Sequence, residues 1–213
     1  MLKLYHSPLT RSARIVWLLE ELGLPYEVET VPFTPPGTGF AQATPFGKLP
    51  VLQDDDVTIC ESGAILEYVI ERHGGGRLAP RAGSPLRGAY LQWVHFAEAT
   101  IMPPFGDIAR HTLFKPEHER LQVVVDDAAA RVHAALAVVE RELGDKSYLL
   151  GDEFSGADVM MGYPLQSATW FGLLTDRYPR LHAYYGRLGT RPAFRKAMDF
   201  TPADLRSHAG TRS

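Results

Sequence analysis

One cysteine, Cys60, stands in a chain of 213 residues. That excludes an internal disulfide and any Cys-x-x-Cys redox pair. Long apolar runs are missing too: although 45% of the chain is hydrophobic, none reaches the roughly 18 residues a membrane span needs. Neither sign of charge dominates. A net charge of −3 and a pI near 6.2 give no basic patch, which argues against nucleic acid as a partner. The start, Met1-Leu2-Lys3-Leu4-Tyr5, enters an apolar strand directly and lacks the anatomy of a secretory leader. The expectation is a soluble cytoplasmic protein of one or two domains, with neither membrane nor nucleic acid as partner.

Several motifs are present only as fragments. Gly37-Thr38-Gly39 has Gln42 where a dinucleotide loop needs its third glycine, and Gly47-Lys48 precedes Leu49 rather than serine or threonine. His73-Gly74-Gly75-Gly76 resembles an esterase oxyanion loop, but no Gly-x-Ser-x-Gly accompanies it, and a glycine stop after a helix explains it better. His95 and Glu98 share a helical turn without a second ligand pair, so no metal is expected. Cys60 closes a strand and reads as an apolar side chain. Trp17, Trp93 and Trp170 lie in helical stripes and read as core or interface.

Against that background the chain carries regular patterning. Residues 2–6 read as a strand, 11–23 as a helix with Ile15, Leu18, Leu19 and Leu22 on one face, and 26–31 as a second strand. A loop is expected over 33–44, short strands near 50–53 and 57–60, and a helix over 62–73. Glycines and prolines make 74–85 a linker. Beyond it almost everything is helical. A helix from Leu86 is expected to end or kink at Met102-Pro103-Pro104. The stripe from Leu121 to Leu143 is the cleanest in the chain. Ser155 and Asp158 form a capping box, with Phe154 and Val159 at the staple positions. Shorter helices near 178–189 and 192–199 precede a frayed tail after 201.

The stretch TPFGKLPVLQDDDVTICESGAI, residues 44–65, concentrates the chemistry. Lys48 and Pro50 stand at the mouth of one strand, and Glu61-Ser62 stand where the next turns into a helix. A lone ammonium and the free N–H groups of a helix start suit a ligand that carries carboxylates.

Together these segments resemble the cytosolic glutathione transferases. LYHSPLTRSARIVWLLEELGLPYE is similar to the family's first strand, active-site loop and first helix. GKLPVL, ESGAILEYV and FSGADVMMGYPL are similar to its proline loop, its Glu-Ser turn and the start of its central second-domain helix. WVHFAEATIMPP further resembles a bacterial and fungal serine-type subgroup whose fourth helix ends in Met-Pro-Pro. The resemblance implies an α+β fold: a thioredoxin-like βαβ-ββα domain over 1–78, then an all-α domain over 86–213, joined by 74–85. It implies glutathione as co-substrate without a further cofactor, a small hydrophobic electrophile, a homodimer and a role in detoxification.

By the same resemblance Lys48 pairs with the glycine carboxylate, and Leu49, before a cis Pro50, pairs with the cysteinyl peptide group. Glu61 and Ser62 hold the γ-glutamyl end. Leu9, Met102 and Phe105 face the electrophile. The reaction needs a thiolate, and a free thiol near pKa 8.5 is only a few per cent ionised at neutral pH. Lowering that value by two units takes about 2.7 kcal/mol. The loop Leu9-Thr10-Arg11-Ser12 offers a hydroxyl, a guanidinium and a helix start. Counting back from Arg14 selects Thr10 as the activating hydroxyl; counting back from Gly23 selects Ser12, and cysteine-type classes align on Arg11. Both hydroxyls also suit simple helix capping. Tyr5 reads as strand packing. Two rivals remain open at this point: a non-catalytic binding or scaffold protein of the same fold, and a glutathione-dependent reductase, the latter weakened by the lack of cysteine in 9–12.

Overall fold

The structure, a computed structural model, describes residues 1–31 and 47–199. The loop expected over 33–44 and the tail after 201 lie outside the described residues. The chain divides into two compact units: one gathers the described residues up to Leu78 together with those from Arg191 onward, and the other runs over Ala79–Thr190.

In the first unit β1 (Leu2–His6), α1 (Ser12–Leu22) and β2 (Tyr26–Thr30) form a parallel crossover, followed by β3 (Val51–Asp54), β4 (Val57–Cys60) and α2 (Ser62–His73). The sheet order is β2-β1-β3-β4, with β1 and β2 parallel and the other two pairings antiparallel. This is the thioredoxin-like arrangement, and each element falls within a residue or two of its expected place. Leu2 and Leu4 of β1 are buried while the residues between and after them are not, which is the period-two pattern of a strand with one covered face. α1 buries Ile15, Trp17, Leu18, Leu19 and Leu22. Gly23 ends it at φ 63, a left-handed value that glycine adopts without penalty, with the Gly23 and Leu24 N–H groups donating to the Glu20 and Leu19 carbonyls.

The described residues from Arg191 to Asp199 join this unit by packing. The sequence reading runs the helical domain on to 213, whereas α8 (Pro192–Ala197) lies against α1, with Phe194 edge-on to Trp17 at 4.8 Å between ring centroids.

The second unit is helical: α3 (Leu86–His95), α4 (Met102–Ala109), α5 (Gln122–Leu143), α6 (Gly156–Trp170) and α7 (Pro179–Gly189). The helical run begun at Leu86 ends before Met102-Pro103-Pro104 as expected, at a bend on Ile101. A π-helical turn, Phe96–Thr100, intervenes, and the prolines then occupy the first turn of α4, where no N–H is needed for the helix ladder. A second π-helical turn, Arg110–Phe114, closes α4. The long stripe is buried in α5 only from Ala128 onward; Leu121 and Val123 are exposed. The capping box forms as read: the Asp158 carboxylate accepts from Ser155 N–H at 2.8 Å, and it also accepts from Leu149 N–H and Tyr184 O–H. Among the described residues no helix is long and apolar enough to cross a membrane.

Candidate active site

Register brings three loops of the first unit to one end of its sheet. Tyr5 lies opposite Val51, and Val51 lies opposite Cys60. The chain leaving β1 at His6, the chain entering β3 through Pro50 and the chain leaving β4 at Glu61 are therefore neighbours. Segments 44 residues apart in sequence become the walls of one site because the antiparallel ladder admits a single register.

At the β1–α1 loop four polar groups knot together. The Thr10 hydroxyl donates to the Ser7 carbonyl at 2.8 Å and stands 2.6 Å from the Ser12 hydroxyl. Ser12 Oγ lies 2.8 Å from His6 Nδ1 and 3.1 Å from the same Ser7 carbonyl. Weaker 3.3 Å contacts run from Ser7 N–H to Ser12 Oγ and from Ser12 N–H to Thr10 Oγ1. Ser12 is 0% exposed, whereas Thr10 retains surface. The two hydroxyls that sequence counting set against each other thus touch, and of the pair only Thr10 retains exposed surface. Burial lowers the His6 pKa from its ordinary value, so its imidazole is neutral at neutral pH. The Ser7 hydroxyl is buried and has no partner among the described residues. Leu9 is buried at φ 66. A bulky residue in that region signals a backbone held against its preference, of the kind that gathers at functional sites.

On the second wall the Leu49–Pro50 peptide is cis, Leu49 is buried and Lys48 is exposed. On the third, Glu61 is exposed and adopts φ 71, ψ 116, a second non-glycine residue in the left-handed half of the map. That turn points the first N–H groups of α2 out of the helix ladder. Ser62 is buried, and its Oγ accepts from Arg14 Nη1 at 3.0 Å. Because the Ser62 oxygen takes a guanidinium proton, the hydroxyl's own proton is left to point at another acceptor. Arg14 is 0% exposed and is the charged group that sequence reading used only as a counting mark. An arginine amid the apolar run of α1 was the available signal.

Tyr5 donates across the sheet to Gln53 Oε1 at 3.0 Å, as a strand-packing residue does. Burial, then the charge of Glu61, push the Cys60 thiol above its ordinary pKa, which disfavours a nucleophilic thiolate there. Arg11 is half-buried at the entry to α1. Met102 and Phe105 belong to the second unit, where both are buried and Phe105 stacks on Phe171 at 6.0 Å. Among the described residues no cluster of three or more histidine, cysteine or carboxylate side chains is placed to hold a metal ion.

The first unit is a thioredoxin-like sheet with its helices, and the second is helical. Residues 1–71 match the family model for the glutathione S-transferase N-terminal domain, and residues 122–187 match that for its C-terminal domain. The chain is 30% identical to glutathione S-transferase 3 of Schizosaccharomyces pombe, over 93% of this chain and 87% of that one. Its fold superposes on a glutathione transferase from Methylococcus capsulatus with a TM-score of 0.82 at 30% identity, covering 93% and 98% of the two chains. It also superposes on one from Burkholderia graminis, which holds two glutathione molecules per subunit, with a TM-score of 0.82 at 27% identity over 93% and 87%. The chain belongs to the glutathione S-transferase family, and it is a transferase of that class.

Proposed function

We propose that the first unit binds glutathione, that Thr10 stabilises its thiolate, and that the thiolate attacks small apolar electrophiles. The observation that carries this is the partly exposed Thr10 hydroxyl, held against the wholly buried Ser12 at the start of α1. Lys48 would meet the glycine carboxylate, the Leu49 backbone the cysteinyl peptide, and Glu61 with Ser62 the γ-glutamyl end. The Ser62 hydroxyl, freed to donate by Arg14, suits that carboxylate. Arg11 adds positive charge near the thiolate. Attack forms the carbon–sulfur bond as the leaving group departs with its electron pair; on an activated alkene the carbon instead takes a proton from water. Leu9, Met102 and Phe105 are the apolar residues on which the electrophile reading rests. Thr10 and Met102-Pro103-Pro104 align the chain with the serine-type bacterial and fungal subgroup. We take the protein to be cytoplasmic and a homodimer, the commonest closed assembly; a monomer mass by light scattering at micromolar concentration would overturn the latter.

Retention on immobilised glutathione, followed by turnover of 1-chloro-2,4-dinitrobenzene and a wider electrophile panel, tests the reading. Retention with no turnover on any electrophile favours a binding protein, and turnover only with disulfides favours a reductase.

A further inference from the structure

We infer that His6 is a positioning residue for the thiolate-binding hydroxyl: its Nδ1–H donates to Ser12 Oγ and sets the direction of a hydrogen-bond chain that ends on Thr10. The inference rests on the proposed role of Thr10 and deepens it.

Counting protons gives the direction. Four short contacts link these groups: Thr10 to Ser12 at 2.6 Å, His6 Nδ1 to Ser12 at 2.8 Å, Thr10 to the Ser7 carbonyl at 2.8 Å and Ser12 to that carbonyl at 3.1 Å. The two hydroxyls bring only one proton each. With Nδ1 unprotonated, two protons serve two of the four contacts. With the proton on Nδ1, three protons serve the three shortest in one head-to-tail run, from His6 Nδ1–H to Ser12, from Ser12 O–H to Thr10, and from Thr10 O–H to the Ser7 carbonyl. Each hydroxyl then donates once and accepts one short bond, beside a weaker 3.3 Å contact from a backbone N–H. The longest contact is the one left over. This tautomer is assigned from the network.

The chain has a chemical consequence. Hydrogen bonds aligned head to tail polarise one another, each strengthened by on the order of 10–30%. The last donor, Thr10, gains most, and it is the only hydroxyl of the pair with exposed surface. When a thiolate arrives, the Thr10 proton swings from the Ser7 carbonyl to sulfur without disturbing the two bonds behind it. Without His6 the Ser12 proton is free to turn to the Ser7 carbonyl. Thr10 Oγ1 then keeps only the weaker 3.3 Å contact from Ser12 N–H, and its own proton is drawn back toward Ser12. Burial keeps the imidazole neutral, so it acts through direction and polarisation and adds no charge of its own.

The test titrates the ultraviolet thiolate absorbance of bound glutathione in the wild type, Thr10→Val, His6→Leu and His6→Asn. Glutathione affinity by calorimetry and thermal unfolding are measured in parallel. Thr10→Val is expected to raise the thiol pKa. His6→Leu is expected to raise it by roughly half a unit, about threefold in thiolate below the pKa, with affinity little changed. His6→Asn should restore the wild-type value, because its amide N–H reaches the place of Nδ1. A purely structural role would lower the unfolding temperature without moving the thiol pKa. If His6→Leu leaves the pKa alone while Thr10→Val raises it, the relay is wrong and the Thr10 reading stands. Equal elevation in His6→Leu and His6→Asn also overturns the relay. If Thr10→Val moves nothing, the Thr10 reading itself falls and the relay with it. Should His6→Leu not fold, His6→Gln replaces it: its amide reaches the Nε2 position, so the raised pKa is expected there and not in His6→Asn.

Discussion

Arg191 grips Glu21 with two hydrogen bonds, Nε to Oε1 at 2.6 Å and Nη2 to Oε2 at 2.7 Å, across 170 residues of chain. Glu21 also accepts from Trp17 Nε1 at 2.8 Å. The Glu21 side chain is 10% exposed, so the pair is shielded enough to matter. Glu21→Gln keeps the shape and one acceptor but discards the charge. It is expected to cost about 1.5–3 kcal/mol. Amide exchange should quicken first in α8, while glutathione affinity stays unchanged. Equal protection of α8 in both proteins would show that the Phe194–Trp17 contact suffices.

Asp54 ends β3 and is gripped from α2, by Tyr68 O–H at 2.9 Å, His73 Nε2 at 2.7 Å and Arg72 Nε at 3.2 Å. Burial works to raise its pKa, but the hydrogen bonds from His73 and Tyr68 and the nearby charges outweigh it, and the value falls below 3.8. A carboxylate with a depressed folded pKa adds stability above its unfolded value, and that stability is lost as pH falls through the folded one. Asp54→Asn should therefore destabilise by about 1.5–3 kcal/mol at pH 7. The gap should close as the pH drops below 3.8. Urea unfolding of both proteins across that range checks it, and a gap independent of pH refutes it.

In the second unit the wholly buried Asp158 serves Ser155 N–H, Leu149 N–H and Tyr184 O–H together. Asp158→Ala removes a helix cap, at about 1 kcal/mol. It also orphans three further buried donors, the Ser155 hydroxyl, the Leu149 N–H and the Tyr184 hydroxyl, at about 1–3 kcal/mol each. Tyr184→Phe alone removes one donor. The double variant should cost less than the two single costs added, since Tyr184 then has no hydroxyl to orphan. Additive losses by calorimetric unfolding would show that the contact is energetically idle.

Lys48→Ala is expected to weaken glutathione binding by about 1.5–3 kcal/mol, roughly ten- to a hundredfold in Kd, with unfolding unchanged. An unaltered Kd by calorimetry would leave Lys48 as solvated surface.

Much of this architecture is legible in the sequence because it depends on local signals. Alternation marks β1, Gly23 stops α1, and Ser155 with Asp158 announces α6. His6 and Arg14 escape such reading for a physical reason. A period of two tells which face a strand residue takes, and says nothing of the hydroxyl six residues on that its ring will meet. Arg14 reaches Ser62 across 48 residues, a partnership set by how α1 and α2 settle on the sheet. The π-helical turn at Phe96–Thr100 is illegible for another reason: one extra residue in a turn leaves composition untouched. Counting along the sequence cannot separate Thr10 from Ser12, since the two oxygens share one knot and differ in burial alone.

The return of α8 to α1 bears on how the chain is made. A ribosome delivers β1 through α2 first, then all of Ala79–Thr190, and only afterwards Arg191, which pairs with Glu21, and Phe194, which packs on Trp17. At about 5–20 residues per second the nascent first unit spends seconds with that indole face uncovered. The last described helix acts as a late clasp, so a chain cut short before Arg191 would keep both units yet leave the first without its α8 cover.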